Sequence, residues 1–280
     1  MIRAASARPI RQGEAEKMAE AYGIIYFSGT GNTKLIAEHA AGLLPAEIHS
    51  IEEELDWPFF IRQVERLIFF YPVHYAVPPM IMRAFLKDYA RALEHKEVIC
   101  IASQMIASGD GARALEDFLP DSARLIACYH VNMPNNIANL PVLPVSSEKG
   151  NRRKVGRAVH KTEKIIEKIK KGTFERQHSG PLSRKIGDSQ RIGGLQSEKA
   201  KRSCVWVSDA CIHCGLCARI CPTHNFRIRD KAVPQGECTL CMRCENRCPA
   251  RAISVLLHKP VKEAYPGPLY EGRIGVASED

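Results

Sequence analysis

Two runs of cysteine spaced C-x-x-C-x-x-C-x-x-x-C-P constrain this chain more than anything else in it. The first holds Cys211, Cys214, Cys217 and Cys221 before Pro222; the second holds Cys238, Cys241, Cys244 and Cys248 before Pro249. The second is the first displaced by 27 positions. Three thiolates from one tight loop can bind three irons of a cubane cluster, and a fourth must arrive from elsewhere; in paired runs of this spacing the fourth cysteine of each serves the other centre. The spacing therefore assigns Cys211, Cys214, Cys217 and Cys248 to one [4Fe-4S] cluster, and Cys238, Cys241, Cys244 and Cys221 to a second. Structural zinc, which favours pairs of C-x-x-C across a longer loop, and a disulfide framework, which needs an oxidising compartment, both leave the duplicated triple spacing unexplained.

This stretch resembles bacterial-type two-cluster ferredoxins. The resemblance extends past each proline, where Phe226 and Ile253 fall at equivalent offsets and look like the start of paired strands over the clusters. Nine of the 11 cysteines lie between Cys204 and Cys248, leaving Cys100 and Cys128 inside apolar runs as buried, unreactive thiols and Cys204 as a packing residue. No apolar run approaches the ~18 residues needed to span a membrane. A reducing, cytoplasmic location without membrane insertion follows.

The formal charge of +9 belongs largely to one connector, since residues 149–202 hold 17 Lys or Arg against 5 Asp or Glu. Eight thiolates and two cluster cores together add about −4. A solvated helix face explains the basic run better than a docking surface does, and nucleic acid is not an expected partner.

The first 17 residues show no periodicity and precede Met18; they read as a disordered extension or an early start, with an Arg-rich targeting segment as the alternative. Beyond them, Gly23 to Phe27 is an apolar run suited to a doubly buried strand, and Thr33 to Leu44 has helical spacing. Between them lies SGTGNT: Ser28, Gly29, Thr30, Gly31, Asn32 and Thr33. A hydroxyl- and glycine-rich turn at a helix N-terminus offers N–H and O–H donors to a phosphate. It is neither a Walker loop nor G-x-G-x-x-G. It is similar to the phosphate loop of flavodoxins, which implies FMN.

The order of elements that follows has the same character. Strands are expected at Ala46 to Ser50, Arg66 to Tyr71, Glu97 to Ala102 and Arg124 to His130, with helices at Pro78 to Leu86 and Gly111 to Leu119. Alternating strands and helices imply a doubly wound parallel sheet with the ligand at the carboxyl ends of its strands. Flavodoxin-like order, 2-1-3-4-5, then puts three loops around a flavin: Ser28 to Thr33, Pro72 to Val77 with Pro72, Val73, His74 and Tyr75, and Ser103 to Gly111 with Ser103, Gln104, Gly109 and Asp110. Tyr75 is placed to stack on the ring and His74 to hydrogen-bond its edge. The third loop departs from the family's glycine- and aromatic-rich pattern.

After a Pro- and Asn-rich loop, Val155, Val159, Thr162, Ile166 and Ile169 give Ser147 to Lys171 one apolar helical stripe. Gly172 to Arg202 shows no hydrophobic pattern and reads as a linker or irregular wrap, and Cys204 to Val207 as a first strand of the cluster domain. The expected divisions are an extension at 1–19, an FMN-binding flavodoxin-like domain at 20–172, a basic linker at 173–202, a smaller α+β ferredoxin-like domain at 203–258 and an extended arm at 259–280. The combination resembles bacterial and archaeal flavodoxin–ferredoxin fusion proteins of the EFR type. That resemblance implies electron transfer between two [4Fe-4S] clusters and FMN, linking one- and two-electron carriers, with unidentified redox partner proteins and a possible homodimer. A flavin-dependent reductase of a small molecule, and a redox-sensing or docking module with an empty flavodoxin-like domain, are the alternatives. Direct NAD(P)H use is disfavoured by the missing dinucleotide fingerprint.

Overall fold

A computed structural model describes residues 21–138 and 144–270. The expected 1–19 extension and the last ten residues of the arm lie outside the described residues. Strand β1 (Tyr22–Tyr26) leads into helix α1 (Asn32–Leu43), then β2 (Glu47–Ser50), α2 (Trp57–Gln63), β3 (Arg66–Pro72), α3 (Met80–Asp88), the short α4 (Ala90–Leu93), β4 (Glu97–Gln104), a 3₁₀ turn at Arg113–Phe118, and β5 (Arg124–Asn132). All four pairings are parallel and the order is β2-β1-β3-β4-β5. The sheet is flavodoxin-like, as the alternation of elements implies.

Its central strands are apolar at nearly every position because both faces are covered. Ile24, Ile68, Phe70, Ile99, Ile101 and Tyr129 pack under α1 and helix α5 (Glu148–Lys170). Ile25, Phe27, Leu67, Phe69, Tyr71 and Cys100 pack under α2 and α3 on the other side. Cys128 also lies in this second layer, and burial pushes its thiol up to about 11. Helix α5 begins at Ser147, whose hydroxyl accepts from the Gly150 N–H, and its Val155, Val159, Thr162, Ile166 and Ile169 are buried.

The expected linker is ordered differently. Glu175 and Gln177 bond the backbone of Cys128, extending the edge of the sheet beside β5. A 21-residue helix, α6 (Pro181–Lys201), follows. Its inward positions are Gly187, Arg191, Gly194 and Glu198, spaced 4, 3 and 4 apart, so its periodicity is carried by notches and ion pairs instead of apolar side chains. A Cβ at Gly187 would stand 1.9 Å from Asp110 Oδ1, and one at Gly194 2.5 Å from Tyr75 Cβ. The helix therefore lies directly against the second and third loops.

The C-terminal half carries β6 (Trp206–Val207), α7 (Leu216–Arg219), β7 (Phe226–Ile228), β8 (Ala232–Pro234), α8 (Arg243–Arg247) and β9 (Ile253–Ser254). Phe226 and Ile253 do begin strands, but in separate two-stranded sheets: β6 pairs with β9 and β7 with β8. Residues 259–270 form no helix or strand and run back over the parallel-sheet half. Tyr265 is buried there, donating its hydroxyl to Asn32 Oδ1 at 2.5 Å, and Asn151 Nδ2 donates to the Gly267 carbonyl.

Candidate functional site

A cavity of about 540 Å³ opens at the carboxyl ends of the strands. Ser28, Gly29, Thr30, Asn32 and Thr33 line it from the first loop, Pro72, Val73, His74 and Tyr75 from the second, and Ser103 and Gln104 from the third. Gly31 stands at the left-handed N-cap of α1, with φ +94. The first-turn N–H groups of α1 have no intrahelical partner, which suits an anion at this end. Several hydroxyls are already committed: Thr33 and Ser103 share a hydrogen bond at 2.8 Å, Ser28 Oγ accepts from the Gly31 N–H, and Thr30 Oγ1 accepts from Asn136. Asn32 is held on both ends of its amide, donating to the Pro134 carbonyl and accepting from Tyr265. Its side chain ties the arm and the β5 loop to the phosphate turn.

The second loop is a two-residue turn closed by mutual backbone bonds between His74 and Val77, with φ of +51 at Tyr75 and +61 at Ala76. Positive φ at two successive non-glycine residues costs about 1–3 kcal/mol each, a strain typical of functional sites. The surrounding contacts, above all Tyr75 against Gly194, hold the turn in place. Burial, with the charge of Arg83, pushes His74 down to about 4, so its ring is neutral at neutral pH. Its Nδ1 is buried without a partner among the described residues.

Gly109 and Asp110 do not line this cavity. The reason is α6: Gly109, with φ +57, lies against the backbone of Ser183 and Gly187, and the Asp110 carboxylate accepts from Arg113 and Arg191 at 2.7 and 2.8 Å. Burial raises the Asp110 pKa, but hydrogen bonds from Arg191 and Arg113, with their charges, bring it below the ordinary carboxylate range. The carboxylate anchors α6 to the sheet. Residues that the sequence reading missed complete the cavity instead: Met133 to Ile137 after β5, Gln190 of α6, and Leu240, Cys241, Met242 and Leu256 of the C-terminal half. A loop at the carboxyl end of β5 was legible from topology alone. The C-terminal contribution had no local signal.

The eight cysteines fall into two groups. Cys211, Cys214, Cys217 and Cys248 line one small cavity. Burial pushes the Cys217 thiol up to about 11, and Cys211, Cys248 and Cys214 are the neighbours that raise it further. In the other group burial raises Cys238 to about 12 and Cys244 well above its usual value, with Cys241 and Cys221 the shared neighbours of both. The backbone repeats the 27-residue displacement as the sequence does. His213 and Leu240, Gly215 and Met242, and His224 and Arg251 are paired left-handed positions, with φ between +50 and +71. Cys221 Sγ accepts from the Asn225 N–H and Cys248 Sγ from the Ala252 N–H, both at 3.3 Å. Left-handed turns of this kind expose N–H groups to anionic sulfur.

The donor chemistry fits iron–sulfur ligation. Thiols pushed upward by burial become thiolates only beside a strong cationic partner, and iron supplies it. Thr239 Oγ1 and Asn225 Nδ2, next to Cys238 and Cys221 group residues in the chain or bonded to them, are buried without partners among the described residues, as groups awaiting a sulfur acceptor would be.

Residues 23–134 match a family model described as a flavodoxin domain, and residues 210–252 match one described as a 4Fe-4S dicluster domain. The chain is a flavodoxin–ferredoxin fusion. Among solved structures, the fusion is similar to flavodoxin 2 of Bacillus cereus, with 17% identity and a TM-score of 0.39 over 54% of this chain and 99% of that one. Flavodoxin of Megasphaera elsdenii gives 24% and 0.33 over 50% and 98%. The rubredoxin:oxygen oxidoreductase of Desulfovibrio gigas covers 56% of this chain but 38% of its own, with a TM-score of 0.37. No curated protein matches the chain. The two domains support FMN and iron–sulfur binding, and with them an electron-transfer role for the fusion. No described helix is long and apolar enough to cross a membrane.

Proposed function

We propose that the fusion carries electrons between external one-electron proteins and FMN through two [4Fe-4S] centres arranged in line within one chain. One observation carries this reading: Cys241 belongs to the inner cysteine group and is also a wall of the cavity that the flavin loops enclose. When bound, cubane clusters exchange one electron at a time and FMN holds one or two, so the set joins carriers of both kinds.

The chain's own residues make that possible by position. The Ser28 to Thr33 turn and the N-terminus of α1 would hold the flavin phosphate, and Tyr75 and neutral His74 would flank the ring. Met133 to Ile137 and Leu240 to Met242 narrow the space through which water could enter. Cys211, Cys214, Cys217 and Cys248 would hold the outer centre, and Cys238, Cys241, Cys244 and Cys221 the inner one. Cys214 is exposed, so the outer group is the one a soluble redox protein could approach. Because the inner group and the cavity belong to the same chain, no second copy is required for contact between them. A reducing cytoplasm suits eight ligating thiols.

Counting iron, sulfide and FMN on protein purified without air tests the equipment, with about eight, eight and one per chain expected. Rapid anaerobic mixing with a one-electron donor tests the order. Cluster absorbance should bleach first and flavin absorbance follow at a rate independent of protein concentration. Flavin reduction whose rate scales with protein concentration would overturn the arrangement within one chain.

A further inference from the structure

Arg243 stands between Met242 and Cys244 in the second cysteine run, yet most of its contacts lie in other segments. Nε donates to the Gly29 carbonyl at 3.1 Å. One terminal nitrogen donates to the Ser28 carbonyl at 2.9 Å and to Glu52 Oε1 at 2.5 Å. The other donates to the Ile220 carbonyl at 2.9 Å and to Glu52 Oε2 at 2.7 Å. All five N–H donors of the guanidinium are thus in use. They reach the phosphate turn, the residue before Cys221, and the carboxylate just after β2.

Two further observations point the same way. The halves meet backbone to backbone at this place: a Cβ on Gly29 would stand 2.0 Å from the Cys241 carbonyl oxygen. The guanidinium charge also lies beside Cys241 and Cys221, two members of the inner group. A cation next to a centre that gains an electron on reduction stabilises the reduced form, and the adjacent Glu52 carboxylate offsets part of that effect. A lysine supplies the charge without the planar fork.

We propose that Arg243 is a positioning residue that couples the two cofactor sites, holding the flavin-phosphate turn in register with the inner cysteine group while its charge raises the reduction potential of the centre on that group. The inference rests on the functional reading above. It adds that flavin affinity and the inner potential depend on one side chain, through separable properties of it. The fork sets the first and the charge sets the second.

The test uses the holoprotein with Arg243→Gln, Arg243→Lys and Glu52→Gln, reading FMN dissociation by recovery of flavin fluorescence and the two centres by a redox titration followed by electron paramagnetic resonance. Arg243→Gln should weaken FMN binding about 10–100-fold, the size of effect that losing a residue orienting metal ligands has on metal affinity. It should also lower the midpoint of the inner centre while the outer stays where it was. Arg243→Lys should weaken FMN comparably but leave the inner midpoint near that of the parent protein. Glu52→Gln should raise the inner midpoint, and this arm remains decisive should Arg243→Gln lose iron. Arg243→Gln with full iron, unchanged FMN affinity and unchanged midpoints overturns the inference, as does Glu52→Gln with an unmoved inner midpoint. A parent protein lacking FMN or one of the centres overturns the functional reading instead.

Discussion

Cys214 of the first run is exposed, whereas Cys241, its counterpart 27 residues on, is buried in the apolar layer beneath the parallel sheet. The two runs have the same cysteine spacing, the same left-handed positions and the same short helix carrying the third cysteine. They differ in the residues between. Arg243 stands where the first run has Leu216, and Asn246, which donates to the Asn136 carbonyl of the flavin half, stands where it has Arg219. Arg219 instead donates within its own loop, to the Cys214 carbonyl. On the proposed reading each cysteine group holds a centre, and the residues between the cysteines decide what it faces: solvent in the first case, the cavity at the carboxyl ends of the strands in the second.

The sharpest way to break this comparison is to remove one ligand from each group. Cys244→Ser and Cys214→Ser should each lower iron from about eight to about four per chain, since each disables one cubane. Their effects on the flavin should diverge. Cys244→Ser should abolish reduction of FMN by an external one-electron donor and loosen the flavin, because Cys241 and Arg243 share its loop. Cys214→Ser should slow reduction of FMN while its affinity stays that of the parent protein. Equal flavin affinities in the two variants would remove the distinction between an inner and an outer group.

A second pair probes the contact itself. Gly29→Ala drives a Cβ into the Cys241 carbonyl, backbone that cannot rotate aside, and should cost about 3 kcal/mol, the upper end for overpacking. Gly215→Ala occupies a left-handed position whose nearest neighbour is Arg219 Nη1 at 3.4 Å, so it carries only the backbone penalty of about 1–2 kcal/mol. Met242 shows that the equivalent position accepts a side chain. Denaturant unfolding gives the two costs. FMN affinity should fall in the first variant alone.

Much of this was legible because it is local. The division of the cysteines into two groups follows from their spacing, and the doubly buried strands follow from continuous apolar runs such as Leu67 to Tyr71. What crosses between distant segments left no such mark. Helix α6 escaped an apolar-stripe reading because its inward face is Gly187, Arg191, Gly194 and Glu198, chosen to admit Asp110 and Tyr75 and to pair with Asp110 and Arg83. The position of Asp110 after β4 implies a flavin contact, yet its carboxylate is spent on Arg113 and Arg191. A single arginine inside a cysteine run, such as Arg243, does not announce five hydrogen bonds to four residues in other segments. The turn's sequence implies a phosphate contact at Asn32, whose side chain is instead bonded to Tyr265, 233 residues away.

The smallest expected effect concerns Thr239, which stands where the first run has the exposed Ile212. Thr239 is 3% exposed and its hydroxyl has no partner among the described residues. A buried hydroxyl without a partner costs about 1–3 kcal/mol, so deleting it from a site that never satisfies it should stabilise the fold. If instead the hydroxyl donates to sulfur of the inner centre, deleting it lowers that centre's potential, because hydrogen bonds to cluster sulfur favour the reduced state. Thr239→Val keeps the shape and removes the donor. In the holoprotein the inner midpoint should fall slightly, the outer should not move, and thermal stability should not rise. A variant that is more stable with both midpoints unchanged would assign Thr239 to packing, and the asymmetry between the runs would then rest on Arg243 and Asn246.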